Sequence, residues 1–367
     1  MNRRLLLAVI ATFVAASSFA APLTEANLKA YVAKALPRCP GGTIALEPIR
    51  QAVLPAGFNV YAVTLRSSDE YCGTQKYLLV SPRTQQVLVA SSIIPLAEDG
   101  RPVNVRASEQ ASQILKTPIT AQISPFPLPD GIKAVRLMKQ TPYGPFGYNG
   151  FIDASERFIL VGLRGNLATD PAKTLRDSLG LENGVKRGTG KVEIIELSDF
   201  QCPTCARAHK ALEPVIQKNL GKVNYIRIDL PLFEHHEWAI PAALGGRAIQ
   251  KVAPAKYWEY VDYVFVNQEQ IGKMKFDTVL QNWVDDHDLN WAAIEKEYRN
   301  TQARQQILEQ VARAFDLGVN STPTFIVNGQ ILGYGPEGSF TINSVRQALG
   351  LPAEAAKPAA KPAAKKK

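Results

Sequence analysis

The stretch ELSDFQCPTCARAHK, Glu196 to Lys210, sets two cysteines three positions apart where an apolar, strand-like run gives way to a helix-like one. Upstream, KVEIIELSDF reads as a strand running straight into the CxxC. Downstream, PTCARAHKALEPVIQKNLG reads as a helix, with Pro203 suited to its first position and Gly221 to its stop. KVNYIRIDLPL supplies a second strand and completes a βαβ unit. A pair so placed can be a metal clamp, a structural crosslink or a working redox couple, and the rest of the chain bears on which.

The first twenty of the 367 residues, MNRRLLLAVIATFVAASSFA, have two arginines, an apolar core from Leu5 to Val14 and small residues before Ala21. This is the pattern of a secretory signal peptide, residues 1–20, and the mature chain is expected to be periplasmic or secreted and soluble. An oxidising compartment lets disulfides persist, which changes how the four cysteines, Cys39, Cys72, Cys202 and Cys205, are read. The natural pairing joins the two distant ones and leaves the close pair as its own unit. A Cys39–Cys72 bridge would close a loop worth roughly 3 to 4 kcal/mol.

The formal charge of +9 looks like a nucleic-acid signal until it is located. Arg3 and Arg4 leave with the signal, and the Ala/Pro/Lys tail holds five lysines against one glutamate. The body keeps about +3, an ordinary globular balance, so no nucleic-acid partner is expected. The tail, residues 351–367, has nothing to bury and is expected to be disordered.

Length suggests two domains. Leu181 to Gly190, LENGVKRGTG, is rich in Gly and charge and lacks an apolar period, so residues 182–190 are read as a linker. Residues 21–181 are expected to form a mostly β (α+β) domain. Its strands are FNVYAVTL, KYLLVS, QVLVASSII, IKAVRLMKQT, YNGFIDA and RFILVGLRG, with helices near Glu25 to Ala35 and Ser108 to Leu115 and no repeat of fixed period. Residues 191–350 continue past the βαβ unit into a helical block, in which Ile307, Leu308, Val311, Ala312 and Phe315 mark one buried helix face. They end in TPTFIVNGQILGYG, a hairpin pivoting on Asn328 and Gly329, and a helix from Ile342 to Leu349.

The order βαβ, helical block, ββα, with CPTC after the first strand and Thr322–Pro323 before the hairpin, resembles the exported thiol-disulfide oxidoreductases of the DsbA, DsbC and DsbG kind. The resemblance implies an α/β thioredoxin-like fold with a helical insertion and no cofactor. It also implies exported protein substrates with thiols or disulfides, and a membrane redox partner of the DsbB or DsbD kind. YNGFIDASERFILVGLRGNL looks like the end of the DsbC and DsbG dimerisation domain, which implies a possible homodimer or a substrate-binding role for residues 21–181. Glu196 matches the position of the family's buried acid, a candidate for passing a proton to or from the resolving cysteine. Thr322 and Pro323 match the cis-proline segment that pairs with a bound peptide.

The roles of the cysteines follow from position. A thiolate is the nucleophile, and Cys202 sits at a helix start, where unpaired N–H groups and the positive dipole end favour an anion. Cys205, one turn on, points to the same side and can resolve a mixed disulfide on Cys202. Thr204 lacks the charge that histidine offers in DsbA-like motifs. His235 and His236 are read as neighbours on an extended segment, pointing opposite ways and holding no metal. His209 is read as a polar surface residue. The rival to an oxidase or isomerase is a chaperone or binding module whose CxxC is structural, as a permanent disulfide or half a zinc site.

Overall fold

Alternation in the sequence becomes a single wide sheet. The computed structural model describes residues 23–51, 53–68, 72–333 and 339–353, so residues 1–20, read as a signal peptide, and nearly all of the Ala/Pro/Lys tail lie outside the described residues. Thr24 caps α1 (Glu25–Ala35), its hydroxyl accepting from the Asn27 N–H at 3.3 Å, and four strands follow: β1 (Thr43–Pro48), β2 (Asn59–Arg66), β3 (Thr74–Val80) and β4 (Gln86–Pro95). The same succession then recurs as α2 (Val103–Leu115), β5 (Thr120–Pro127), β6 (Lys133–Thr141), β7 (Gly144–Ile152) and β8 (Phe158–Asn166). All eight strands join in one antiparallel sheet, ordered β1-β2-β3-β4-β8-β7-β6-β5.

That order is symmetric about the β4–β8 seam, so the sheet is two copies of a helix-plus-four-strand unit joined through their last strands. This symmetry is compatible with the absence of a repeat of fixed period in the sequence. Alternation recurs between the halves, but loop lengths differ, and a fixed-period search has nothing to lock onto. The seam carries a bulge between Ala90 and Ser92, opposite Gly162 and Val161. A Cβ on Gly162 would lie 2.2 Å from the Val89 carbonyl oxygen, which is why that position holds glycine.

α1 buries Leu28, Tyr31 and Val32 against Val63, Leu78, Val80, Val87 and Val89, and α2 buries Ala107 and Ala111 against Ala121, Val135, Leu137 and Ile159. α2 begins at Val103, earlier than Ser108, because its first turn folds against Pro102, whose carbonyl accepts from Val105 and Arg106. The sequence reading also lacked β1 and β5. Both are edge strands that carry proline, Pro48 in one and Pro125 and Pro127 in the other, a composition that blunts an edge and hides the strand signal.

After α3 (Pro171–Ser178), capped by Asp170, the stretch read as a linker holds a 3-10 turn and β9 (Val185–Arg187), which pairs at the edge of a second sheet. That sheet continues with β10 (Val192–Ser198), α4 (Pro203–Gln217) and β11 (Val223–Asp229). The helical block is α5 (Ala239–Val252), α6 (Tyr257–Val266), α7 (Gln268–Ile271), α8 (Phe276–Asp286), α9 (Trp291–Tyr298) and α10 (Thr301–Asp316), and β12 (Thr324–Val327), β13 (Gln330–Leu332) and α11 (Ser339–Ala348) close the chain. Strand order is β13-β12-β10-β11-β9, with β10 and β11 parallel. The β12–β13 turn is made by Asn328 and Gly329, both at positive φ, as a two-residue hairpin requires. Among the described residues no helix is long and apolar enough to cross a membrane.

The two sheets are laced together. The Arg38 N–H donates to the Ile331 carbonyl at 2.8 Å and the Gly333 N–H to the Arg38 carbonyl at 3.0 Å, so the segment after α1 adds a short parallel bridge beside β13. On another side, Phe146 and Tyr148 of β7 pack edge-on to each other, Phe146 edge-on and Tyr148 stacked against Phe315 of α10, while the Asn149 N–H donates to Asp316.

Candidate active site

β10 is buried along most of its length, and its end delivers the chain into the CxxC. Cys202 is the N-cap of α4 and Pro203 its first residue, so the helix begins on the cysteine. Cys205, one turn in, is fully buried, and Cys202 is 7% exposed. Both thiols are free. The loop before them is pinned: the Cys202 N–H donates to the Asp199 carbonyl at 3.2 Å, and Gln268 donates to the carbonyls of Phe200 at 2.7 Å and Cys202 at 3.1 Å.

The two thiols have opposite electrostatics. A hydrogen bond from the Cys205 thiol, the backbone N–H groups of Cys205 and Thr204, and contact with Thr322 draw Cys202 down from 9.0 to about 5, against the opposing effect of burial. Burial first, then its interaction with Cys202, pushes Cys205 well above the ordinary thiol range. One sulfur is therefore held as an anion and the other as a thiol, with the Ser198 hydroxyl and the Asp199 N–H beside the latter.

Opposite the motif, the Thr322–Pro323 peptide bond is cis, and the Thr322 carbonyl oxygen lies 3.5 Å from the Cys202 sulfur. This segment forms part of the wall of a cleft of about 370 Å³ together with Thr204. The facing wall comes from the N-terminal sheet, including Cys72, Lys76, Val89, Ser91 and Leu163. Cys39 and Cys72 are joined in a disulfide at that border, packed so closely on Gly333 that a Cβ there would fall 1.8 Å from the Cys72 sulfur.

Glu196 is buried on β10, where one carboxylate oxygen accepts from the Tyr225 hydroxyl and the other has no partner among the described residues. Ser198 is the β10 side chain beside Cys205. The structure corrects two readings. His209 is buried, with a ring nitrogen 2.6 Å from Asp262, because α6 packs across α4. His235 and His236 lie on a turn rather than an extended run, and His236 pairs with Asp199 at 2.7 Å. Neither Asp199 nor His236 was singled out as a site residue from the sequence; a polar acid closing an apolar strand just before the motif was the available signal.

The sequence profile of the thioredoxin family matches residues 188–349, which span this whole arrangement from the edge of β9 to the end of α11. Residues 188–349 have a thioredoxin-like fold. The sheet order and inserted helices agree with the fold class read from the sequence. Over its length this domain is similar to the thiol-disulfide exchange protein alpha-DsbA2 from Wolbachia pipientis, at 18% identity and a TM-score of 0.42, covering 49% of this chain and 92% of that one. It is also similar to BdbD from Bacillus subtilis, at 18% identity and a TM-score of 0.39, covering 47% and 95%. Among curated proteins, the chain is 27% identical over 139 residues to the Na(+)/H(+) antiporter NhaA 3 of Salinispora tropica and 25% identical over 194 residues to NhaA 1 of Salinispora arenicola. The matches take up 38% and 49% of this chain but span only 20% and 28% of those proteins' length.

Proposed function

We propose that the chain is an exported thiol-disulfide oxidoreductase whose working pair is Cys202 and Cys205. The observation that carries this reading is the asymmetry of the pair: an anionic sulfur on a helix N-terminus, facing the Thr322 carbonyl, above a buried sulfur kept protonated. In the reducing direction the Cys202 thiolate attacks one sulfur of a substrate disulfide, forming a mixed disulfide and releasing the other sulfur as a thiolate. Cys205 then loses its proton and attacks the Cys202 sulfur, releasing the second substrate thiolate and leaving an enzyme disulfide. Two electrons pass from enzyme to substrate; the reverse sequence oxidises a substrate dithiol.

The depressed Cys202 pKa favours that reverse direction. A stabilised thiolate stabilises the reduced enzyme, so the disulfide form gives itself up readily, as in strongly oxidising pairs. Oxidation is thus the primary reading. Isomerisation is the second, favoured by the cleft between the two domains, which can retain a polypeptide through several exchanges. The cleft takes an extended, cysteine-bearing segment, with the backbone of Thr322 and Pro323 as the rail beside which it lies. The Cys39–Cys72 bond is structural in this reading and Glu196 is a proton relay. Reoxidation or rereduction falls to a membrane partner of the DsbB or DsbD kind. Any homodimer must use surfaces other than β4 and β8, since these already pair with each other.

The test is a trapping experiment in the exporting cell. Cys205→Ser should accumulate reductant-sensitive adducts with exported proteins, because serine cannot resolve the mixed disulfide, and Cys202→Ser should not. The reverse pattern overturns the role assignment. Adducts with neither variant favour the chaperone or structural reading of the motif.

A further inference from the structure

Thr204, the residue between Cys202 and its proline-led first turn on one side and Cys205 on the other, carries no charge. The Cys205 thiol, Thr322 and the backbone N–H groups, none of them charged, are then left to hold an anion that is almost wholly withdrawn from water. An imidazole is tied to the loop that leads into the motif. Asp199, fully buried at the end of β10, is saturated by three donors: the Gln201 N–H at 2.7 Å on one oxygen, and the Leu232 N–H and the His236 ring Nδ1, each at 2.7 Å, on the other. Two residues further on, the Trp238 N–H donates to the Gln201 side chain at 2.7 Å. The loop between β11 and α5 is therefore stitched at three points to the four residues preceding Pro203, and the middle stitch is an imidazole.

We propose that His236, oriented by the buried Asp199 carboxylate, is the cationic positioning residue that stabilises the Cys202 thiolate. This rests on the reading of Cys202 as the nucleophile. Burying an anion without a counter-charge is costly, and an opposite charge within a few ångströms offsets that cost by favouring the ionised form. Asp199 performs two tasks at once. Its hydrogen bond fixes the ring, and hydrogen bond and charge together raise the ring's pKa above the ordinary histidine value against the opposing effect of burial. The groups acting on His236 are Asp199, at the end of β10, and Cys202, at the start of α4, and both raise its pKa, Asp199 the more. The neighbours Glu234, His235 and Glu237 lie on its own loop. With the ring cationic, no proton needs to move between His236 and Cys202 when the thiolate attacks; the imidazolium acts as fixed charge and is left unchanged after exchange.

His236→Gln tests this, because glutamine can still donate to Asp199 but carries no charge, and His236→Lys restores a charge. The readout is the pH dependence of alkylation of Cys202 in the reduced full-length chain, followed by peptide mass, together with the equilibrium of the Cys202–Cys205 pair against glutathione. For His236→Gln the acidity constant of Cys202 should fall about tenfold, and the equilibrium should move by a similar factor toward the enzyme disulfide. His236→Lys should recover most of both. If the alkylation midpoint and the glutathione equilibrium of His236→Gln match the parent and only its melting temperature falls, His236 is a structural strut and the proposal is wrong. If the parent protein itself shows an ordinary Cys202 thiol, or reacts first at Cys205, the reading of the nucleophile fails before any variant is compared.

Discussion

Cys39 and Cys72 meet on the N-terminal side of a cleft whose other side carries the Thr322–Pro323 segment and the start of α4, and the two cysteine pairs of this chain could hardly be placed more differently. Cys39 and Cys72 lie in irregular segments, beside turn residues and against the bare backbone of Gly333. Cys202 and Cys205 lie on the first turn of a fifteen-residue helix, where N–H groups converge on one sulfur and burial isolates the other. A thiol pair becomes reactive through what surrounds its charged form; proximity alone makes a crosslink. The comparison also explains why the bonded pair sits where it does. Arg38 forms the bridge to β13, so fixing Cys39 to Cys72 fixes the N-terminal sheet to the hairpin partner of the strand that follows the proline segment.

The sharpest way to break this contrast is to follow stability against pH. In the reduced protein Cys202 titrates near 5 when folded and near 9.0 when its surroundings are lost. A group whose folded pKa is depressed contributes stability that is fully present above its unfolded pKa and is lost as pH falls through the folded one. The reduced form should therefore gain on the oxidised form as pH rises from 5 toward 9, by up to about 5 kcal/mol if the whole shift is realised. Above that, the raised pKa of Cys205 works in the opposite direction and the gain should turn over. Denaturant midpoints of the two redox forms across this range check it; parallel curves would mean the pair is no more anionic than Cys39 and Cys72 would be.

The second test removes the other pair. Cys39→Ser with Cys72→Ser should lower stability by about 3 to 4 kcal/mol, the entropy of closing their loop, as read from the denaturant midpoint. The glutathione equilibrium of Cys202 and Cys205 should stay where it was. Movement of that equilibrium in step with stability would show that the two pairs are coupled and that the division between structural and reactive cysteines is false.

The contrast between the pairs was open to sequence reading in unequal measure. Strand, CPTC and helix follow one another without a gap, and Asn328–Gly329 specifies a tight hairpin by conformation alone, so the thioredoxin domain is legible from local signals. Six of the eight strands of the N-terminal sheet were legible, but not their symmetric arrangement, because that symmetry lies in the β4–β8 pairing, between residues such as Gln86 and Asn166 that no local pattern connects. The Asp199–His236 contact failed for the same reason: the partners are 37 positions apart and are brought together only when the loop after β11 folds back over the motif. His209 was misjudged because its helix looks amphipathic by itself, and only α6 covers the side on which it lies.

The smallest expected effect concerns the wall of the cleft rather than the cysteines. Lys76, on β3, lines the cleft on the same side as Cys72, half-buried, and burial lowers its pKa. With no carboxylate paired to it among the described residues, this partly desolvated ammonium can accept a counter-ion from outside, and a substrate with an acidic residue near its cysteine would supply one. Because the site is open to solvent on one side, the gain should be that of a partly exposed pair, about 0.5 to 1 kcal/mol, or a few-fold in kcat/KM. Two otherwise identical peptides, one with glutamate and one with lysine flanking the cysteine, should therefore differ a few-fold in kcat/KM, the acidic one being preferred. Lys76→Gln should bring the two together chiefly through KM, since a contact remote from the reacting sulfurs adds equally to ground and transition states. Equal rates for both peptides with the parent protein would instead mean that substrates do not reach the N-terminal wall, leaving Cys39, Cys72 and Lys76 as scaffold for a site confined to the thioredoxin domain.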